Sequence, residues 1–254
     1  KAGEAAGRED AMRLTRLLTY VHEAFHCLQA DFSYQREKAG IRKNRGRISG
    51  SFDVNLDYLV HAEIEGDALL RASTAGDRAT TIEFLKDALV ARELKQKALP
   101  AGAVVADQLR TTAEGTATFA NITAAMLIKA SGRPTSGARN RKMIDAAYQH
   151  LDKYISTHTS ERLERVKADS SDTSERYYIY GAYQAMVLNR VFPEWRKDVF
   201  EQDRTVDEVL SDSLALTPAD RERAAERFAR IYQIESVRSR HAAPLRARED
   251  AIEA

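Results

Sequence analysis

Apolar residues recur every three or four positions along most of the chain, which is the spacing of amphipathic helices. The first predicted helix, Ala11–Leu28, has its apolar stripe at Leu14, Leu17, Leu18, Val21, Phe25 and Leu28. The same spacing and its stop signals predict helices over 57–72, 78–98, 105–130, 143–157, 160–167 and 175–191. A polar, glycine-containing stretch predicts a loop over 33–50, with a short strand near 47–54. The pattern therefore predicts a mainly α fold with little or no β-sheet.

Two helix-start signals follow in the last fifty residues. Thr205 precedes Glu208 by three positions, which is the capping-box pattern of a short helix. Thr217 and Pro218 mark the first turn of a final helix over 217–254, rich in Arg and Glu. We expect this charged C-terminal helix to be peripheral and docked by a thin apolar stripe; the alternative is a partner-binding arm. No repeat or linker divides the chain, which predicts a single helical domain over 1–254.

The composition narrows the classes of function. Lys and Arg total 39 against 38 Asp and Glu, a formal net charge of +1, which argues against a nucleic-acid binder. Twelve glycines and five prolines are too few for the turns of an all-β fold, and a single cysteine excludes an internal disulfide. No apolar run is long enough for a transmembrane helix, so we expect a soluble protein. The chain starts at Lys1 without an initiator Met, and a signal peptide upstream would make the protein secreted or periplasmic.

Candidate chemistry lies in the first helix, as the HExxH sequence that starts at His22. Residues four apart lie on the same helix face, so His22 and His26 can bind one zinc ion. Glu23 projects about 100° away from His22, where it can reach a metal-bound water without binding the metal. Cys27 is expected to be a small buried thiol. The spacing predicts a zinc site with Glu23 as general base.

A catalytic zinc ion needs a third protein ligand and an open position for water. The HExxHxxGxxH arrangement is ruled out because Gln29 stands in place of its glycine and Phe32 in place of its third histidine, so the ligand should be a carboxylate from another helix. Glu65 and Glu114 each begin a Glu-Gly-x-Ala sequence, whose small residues allow close approach of a neighbouring helix. The sequence leaves these two candidates open, one as ligand and the other as a residue that orients a histidine.

These motifs, in this order along the chain, resemble those of gluzincin-type metallopeptidases. The matching pieces are the HExxHxxQ sequence ending at Gln29, the two Glu-Gly-x-Ala sequences, and a Tyr-x-x-Gly sequence that starts at Tyr178. The resemblance implies a zincin-like helical domain in which His22, His26 and a Glu-Gly-x-Ala glutamate hold zinc. It also implies that Glu23 activates a zinc-bound water to cleave a peptide or protein substrate. Only 21 residues precede His22, too few for the substrate-binding strands of sheet-bearing zincins.

An oxyanion formed during peptide cleavage needs a further hydrogen-bond donor. Four tyrosines cluster over 177–183, and Tyr180 is the predicted donor because it directly precedes Gly181. Aromatic core packing is the alternative role of this cluster. At the level of the whole chain, the alternative to a zinc hydrolase is a catalytically silent zincin-like or helical partner-binding protein.

Overall fold

The computed structural model describes residues 2–32, 55–132, 138–168 and 173–253. The predicted loop over 33–50 and the strand near 47–54 lie outside these ranges. Every regular element within them is helical, which confirms the prediction of a mainly α fold. The helices are α1 Ala2–Leu28, α2 Leu56–Thr74, α3 Arg78–Lys97, α4 Ala101–Ala130, α5 Ala138–Ser156, α6 Arg162–Ala168, α7 Thr173–Val191, α8 Trp195–Phe200, α9 Val206–Leu214, α10 Pro218–Arg230 and α11 Ile234–Glu253. A π-helical turn, Thr157–Glu161, joins α5 to α6.

The helix starts follow the capping signals of the sequence. The capping box of Thr205 and Glu208 is present at the start of α9, as predicted. A second capping box, between Thr217 and Asp220, opens α10 with Pro218 in its first turn. Side-chain oxygens of this kind accept hydrogen bonds from backbone N–H groups that have no partner within the helix, which fixes where the helix begins.

The C-terminal segment differs from its prediction, because it forms two helices instead of one. The chain breaks between α10 and α11 at Gln233, whose φ is 51°. Phe228, Tyr232 and Val237 are buried and belong to the main hydrophobic core. The apolar stripe of this C-terminal segment is therefore part of the main core, although the outer surface of the segment is charged.

The main core forms where α2, α3 and α7 pack together, and α8 to α11 close around it. Trp195, at the start of α8, is its largest fully buried side chain. A second apolar cluster attaches α1 to α4 and α5 through Leu18, which packs with Ala125 and Leu151. Among the described residues, no helix has both the length and the apolar character needed to cross a membrane.

Glycines allow α7 to contact both Glu-Gly-x-Ala helices. A Cβ atom on Gly115 of α4 would lie 2.3 Å from the Cα atom of Gly181 in α7. A Cβ atom on Gly66 of α2 would lie 2.7 Å from the Tyr180 hydroxyl, also in α7. The two Glu-Gly-x-Ala sequences therefore lie against the same stretch of α7, each at its own face.

Gly181→Ala is expected to lower the free energy of unfolding by about 1–3 kcal/mol, because its Cβ atom would lie 2.1 Å from the Thr111 carbonyl oxygen. Backbone atoms block the new methyl group, so α4 and α7 must separate. The control is Gly102→Ala in α4, whose Cβ atom would meet nothing within 4 Å and should leave stability unchanged or slightly raised. Urea unfolding measures both variants. Equal stability of the two would contradict the close crossing of α4 and α7.

Candidate metal centre

Helix α1 places both HExxH histidines against Glu114 of α4. The Nε2 atoms of His22 and His26 lie 3.1 Å apart. Glu114 Oε2 lies 3.1 Å from His26 Nε2 and 3.6 Å from His22 Nε2. Among the residues that the structure describes, this is the one group of His, Cys, Asp and Glu side chains that could hold a metal ion.

The spacing of these three atoms fits a tetrahedral metal ion. Ligand atoms about 2.0–2.1 Å from zinc at tetrahedral angles lie about 3.3 Å from one another. The observed separations of 3.1, 3.1 and 3.6 Å fall on either side of that value. Three atoms that each carry a lone pair repel one another at this range unless a proton or a cation lies among them. The donor set, two imidazoles and a carboxylate, is one that zinc binds in catalytic sites.

The three side chains are mostly shielded from water, whereas Glu23 is exposed. The side chains of His22, His26 and Glu114 are 12%, 22% and 11% exposed. Glu23 lies on the solvent side of α1, as its position one residue after His22 requires. It is outside the group of potential ligands.

Glu65 lies in a buried ion cluster of its own. Its Oε1 and Oε2 atoms lie 2.8 Å from Arg92 Nη2 and 2.9 Å from Lys95 Nζ. Lys95 also pairs with Asp107, and Arg92 pairs with Asp207. Burial alone would raise the pKa of the Glu65 carboxyl group, but the charges of Lys95 and Arg92 outweigh it and lower the pKa. Of the two candidates that the sequence left open, the structure places Glu114 beside the histidines and Glu65 beside two cations.

Tyr178 is the tyrosine that lies beside the histidines, whereas the sequence predicted Tyr180 as the hydrogen-bond donor of the site. The Tyr178 ring stacks on His22 with the ring centroids 5.8 Å apart, and its hydroxyl hydrogen-bonds to Glu114. Burial, followed by the charge of Glu114 and this hydrogen bond, raises the pKa of Tyr178 to about 12, so the hydroxyl keeps its proton at neutral pH. Tyr180 instead donates to the Ala62 carbonyl of α2 at 2.8 Å, in the buried core. The Tyr180 hydroxyl therefore forms a hydrogen bond that links α7 to α2, away from the histidines.

Two further side chains support the site. Gln29, fully buried after the end of α1, has its Oε1 atom 2.7 Å from His26 Nδ1. The Arg162 guanidinium lies 5.4 Å from the centroid of the Tyr178 ring and pairs with Glu175. The sequence signal for Gln29 is its place three residues after His26, on the same helix face. Arg162 carries no comparable signal, because it comes from a different part of the chain.

Cys27 is exposed, so the prediction of a buried thiol is wrong. It follows His26 by one residue, about 100° further around α1, on the side turned to solvent. Leu18 beneath the site is fully buried, as its place on the inner stripe requires.

Residues from α1, α4 and α7 thus meet in one arrangement suited to a divalent metal ion. His22, His26 and Glu114 supply the donor atoms. Tyr178 orients Glu114, and Gln29 orients His26, each through a hydrogen bond. Comparisons of the chain with protein-family models, curated proteins and solved structures find no match.

Proposed function

We propose that this protein is a zinc-dependent hydrolase, and within that class a metallopeptidase. The observation that carries the proposal is the triangle formed by His22 Nε2, His26 Nε2 and Glu114 Oε2, with edges of 3.1–3.6 Å. Glu23 follows His22 directly and so occupies the place that the HExxH sequence gives to a general base. The resemblance to gluzincin-type metallopeptidases supports the choice of a peptide or protein substrate.

Each residue of the site has its own proposed role. His22, His26 and Glu114 would hold the zinc ion, which supplies a Lewis acid that polarises a carbonyl group and lowers the pKa of water. Glu23 takes the proton of the attacking water and delivers it to the leaving amine. Tyr178 keeps its proton because its pKa is raised, and it donates that proton to Glu114, so it orients the carboxylate that would bind the metal ion.

Metal content tests the proposal directly. Protein purified without chelator is expected to contain about one zinc ion per chain, and the double variant His22→Ala, His26→Ala is expected to contain none. Glu114→Gln should weaken zinc binding by more than about 100-fold, because removal of a ligand costs more than removal of a group that only orients one. Elemental analysis and chelator competition measure both quantities.

The matched control is Glu65→Gln, the same change in the other Glu-Gly-x-Ala sequence. Its carboxylate pairs with Arg92 and Lys95, so folded Glu65→Gln protein should keep its zinc. Circular dichroism before the metal analysis selects conditions in which both variants are folded. Stoichiometric zinc in the double histidine variant, or equal zinc loss in the two glutamate variants, would refute the proposed site.

A further inference from the structure

We infer that Gln29 is a positioning residue, which holds His26 with its Nε2 lone pair turned toward the metal centre. The inference rests on the proposed function, because it concerns the orientation of one metal ligand. Gln29 lies just after the end of α1 with none of its surface exposed. Its side chain spans from the His26 ring to the backbone of α4.

Hydrogen bonds on α4 fix which way the Gln29 amide faces. The Thr116 hydroxyl donates to the Thr112 carbonyl at 2.7 Å, which leaves the hydroxyl oxygen as an acceptor. Gln29 Nε2 donates to that oxygen at 2.7 Å and to the Ala113 carbonyl at 3.2 Å. Both protons of the amide nitrogen are therefore used, and the amide oxygen must face the opposite way.

The amide oxygen faces His26, and this determines which ring nitrogen carries a proton. Gln29 Oε1 lies 2.7 Å from His26 Nδ1. An amide oxygen only accepts hydrogen bonds, so Nδ1 must be the donor. In the neutral ring the lone pair then lies on Nε2, the atom 3.1 Å from both His22 Nε2 and Glu114 Oε2.

A replacement of Gln29 that cannot accept a hydrogen bond should release the ring. The opposite tautomer would then become available, with an Nε2–H group that donates to Glu114 and occupies the place of the ion. The ring would also be free to rotate, because the hydrogen bond at Nδ1 would be lost. Groups that orient ligating histidines in this way typically change metal affinity by about 10- to 100-fold.

Gln29→Leu is expected to weaken zinc binding by about 10- to 100-fold. It should also remove the slowly exchanging Nδ1 proton of His26 from the nitrogen-edited NMR spectrum of the metal-free protein. Folded Gln29→Glu protein is expected to keep both properties, because its carboxylate still accepts from Nδ1, although it should be less stable because it loses the hydrogen bond donated to the Ala113 carbonyl. Competition with a chromophoric chelator gives the zinc affinity.

The control for lost packing is Thr112→Val, a buried change one turn away on α4. The Thr112 hydroxyl oxygen accepts from the Val206 backbone at 3.0 Å and does not contact Gln29, so this variant should lose stability but keep the Nδ1 proton and the zinc affinity. The inference is overturned if Gln29→Leu keeps both properties, or if Thr112→Val loses them equally. A wild-type protein that binds no zinc would end the proposed function, while the Nδ1 proton would still decide whether Gln29 orients His26.

Discussion

Glu23→Gln is expected to abolish hydrolysis while leaving zinc binding intact. Glutamine has the shape of glutamate but cannot take a proton from water, and loss of a general base typically slows the chemical step by about 10²- to 10⁴-fold. Zinc content should not change, because Glu23 is outside the group formed by His22, His26 and Glu114. Release of new amino termini from a mixed peptide library measures turnover, and elemental analysis measures the metal.

The matched control for this variant is Glu9→Gln. Glu9 is also an exposed glutamate of α1, but it pairs with Arg13 and lies fourteen positions before Glu23. The Glu9→Gln variant should cleave the library at the wild-type rate. Wild-type turnover by Glu23→Gln would disprove its role as base. A zinc-loaded wild-type protein that cleaves no peptide would favour the catalytically silent alternative.

The sequence predicts that the two proposed metal ligands of α1 come together, because their spacing is local. Residues four apart on one helix must share a face, so His22 and His26 meet whatever packs against them. The choice between Glu65 and Glu114 is not local, since it depends on which helix each glutamate faces. Glu65 faces Arg92 and Lys95 of α3, two cations three residues apart whose burial neither composition nor periodicity reveals.

Which tyrosine lies beside the histidines depends on the face of α7 that it occupies, and a glycine in the sequence marks that face. Gly181 contacts Gly115 of α4, so the residue three before it, Tyr178, lies on the side of α7 turned to Glu114. Tyr180 is only one residue from Gly181, about 100° around the helix, and meets Gly66 of α2 instead. Adjacency to a glycine was therefore the wrong criterion, and helical spacing from it is the right one.

Helix positions could be predicted well where capping residues or periodicity mark them. The break between α10 and α11 has no such mark, because the left-handed residue is Gln233, and neither glycine nor asparagine stands there. The short helix α8 begins at Trp195, two residues after Pro193, and no side-chain cap hydrogen bond marks its start. Both features depend on packing against the main core, to which Tyr232 and Trp195 contribute buried rings.

Arg92→Met is expected to lower the free energy of unfolding by about 3–5 kcal/mol, because it removes one partner from a buried ion pair and leaves charge behind. Arg92 is 2% exposed and contacts the carboxylates of Glu65 and Asp207, both buried. Urea unfolding measures the loss, and the folded variant should still bind zinc because Glu114 is unchanged.

The matched control is Arg221→Met, which removes an exposed ion pair with Glu93, a residue of the same helix α3 as Arg92. This change should lower the free energy of unfolding by at most about 1 kcal/mol.

The loss of stability in Arg92→Met should depend on pH in a definite direction. The pKa of Glu65 is lowered in the folded protein, so its ionised form stabilises the fold above the ordinary glutamate pKa, and this contribution disappears as the pH falls through the folded value. Burial already raises the pKa of Asp207 despite Arg92 beside it, and the loss of Arg92 should raise both carboxyl pKa values further. Protonation then removes the unpaired charges, so the difference between wild type and variant should be larger at pH 7 than at about pH 4. A difference that stays constant between these pH values would show that Arg92 stabilises the core by packing alone.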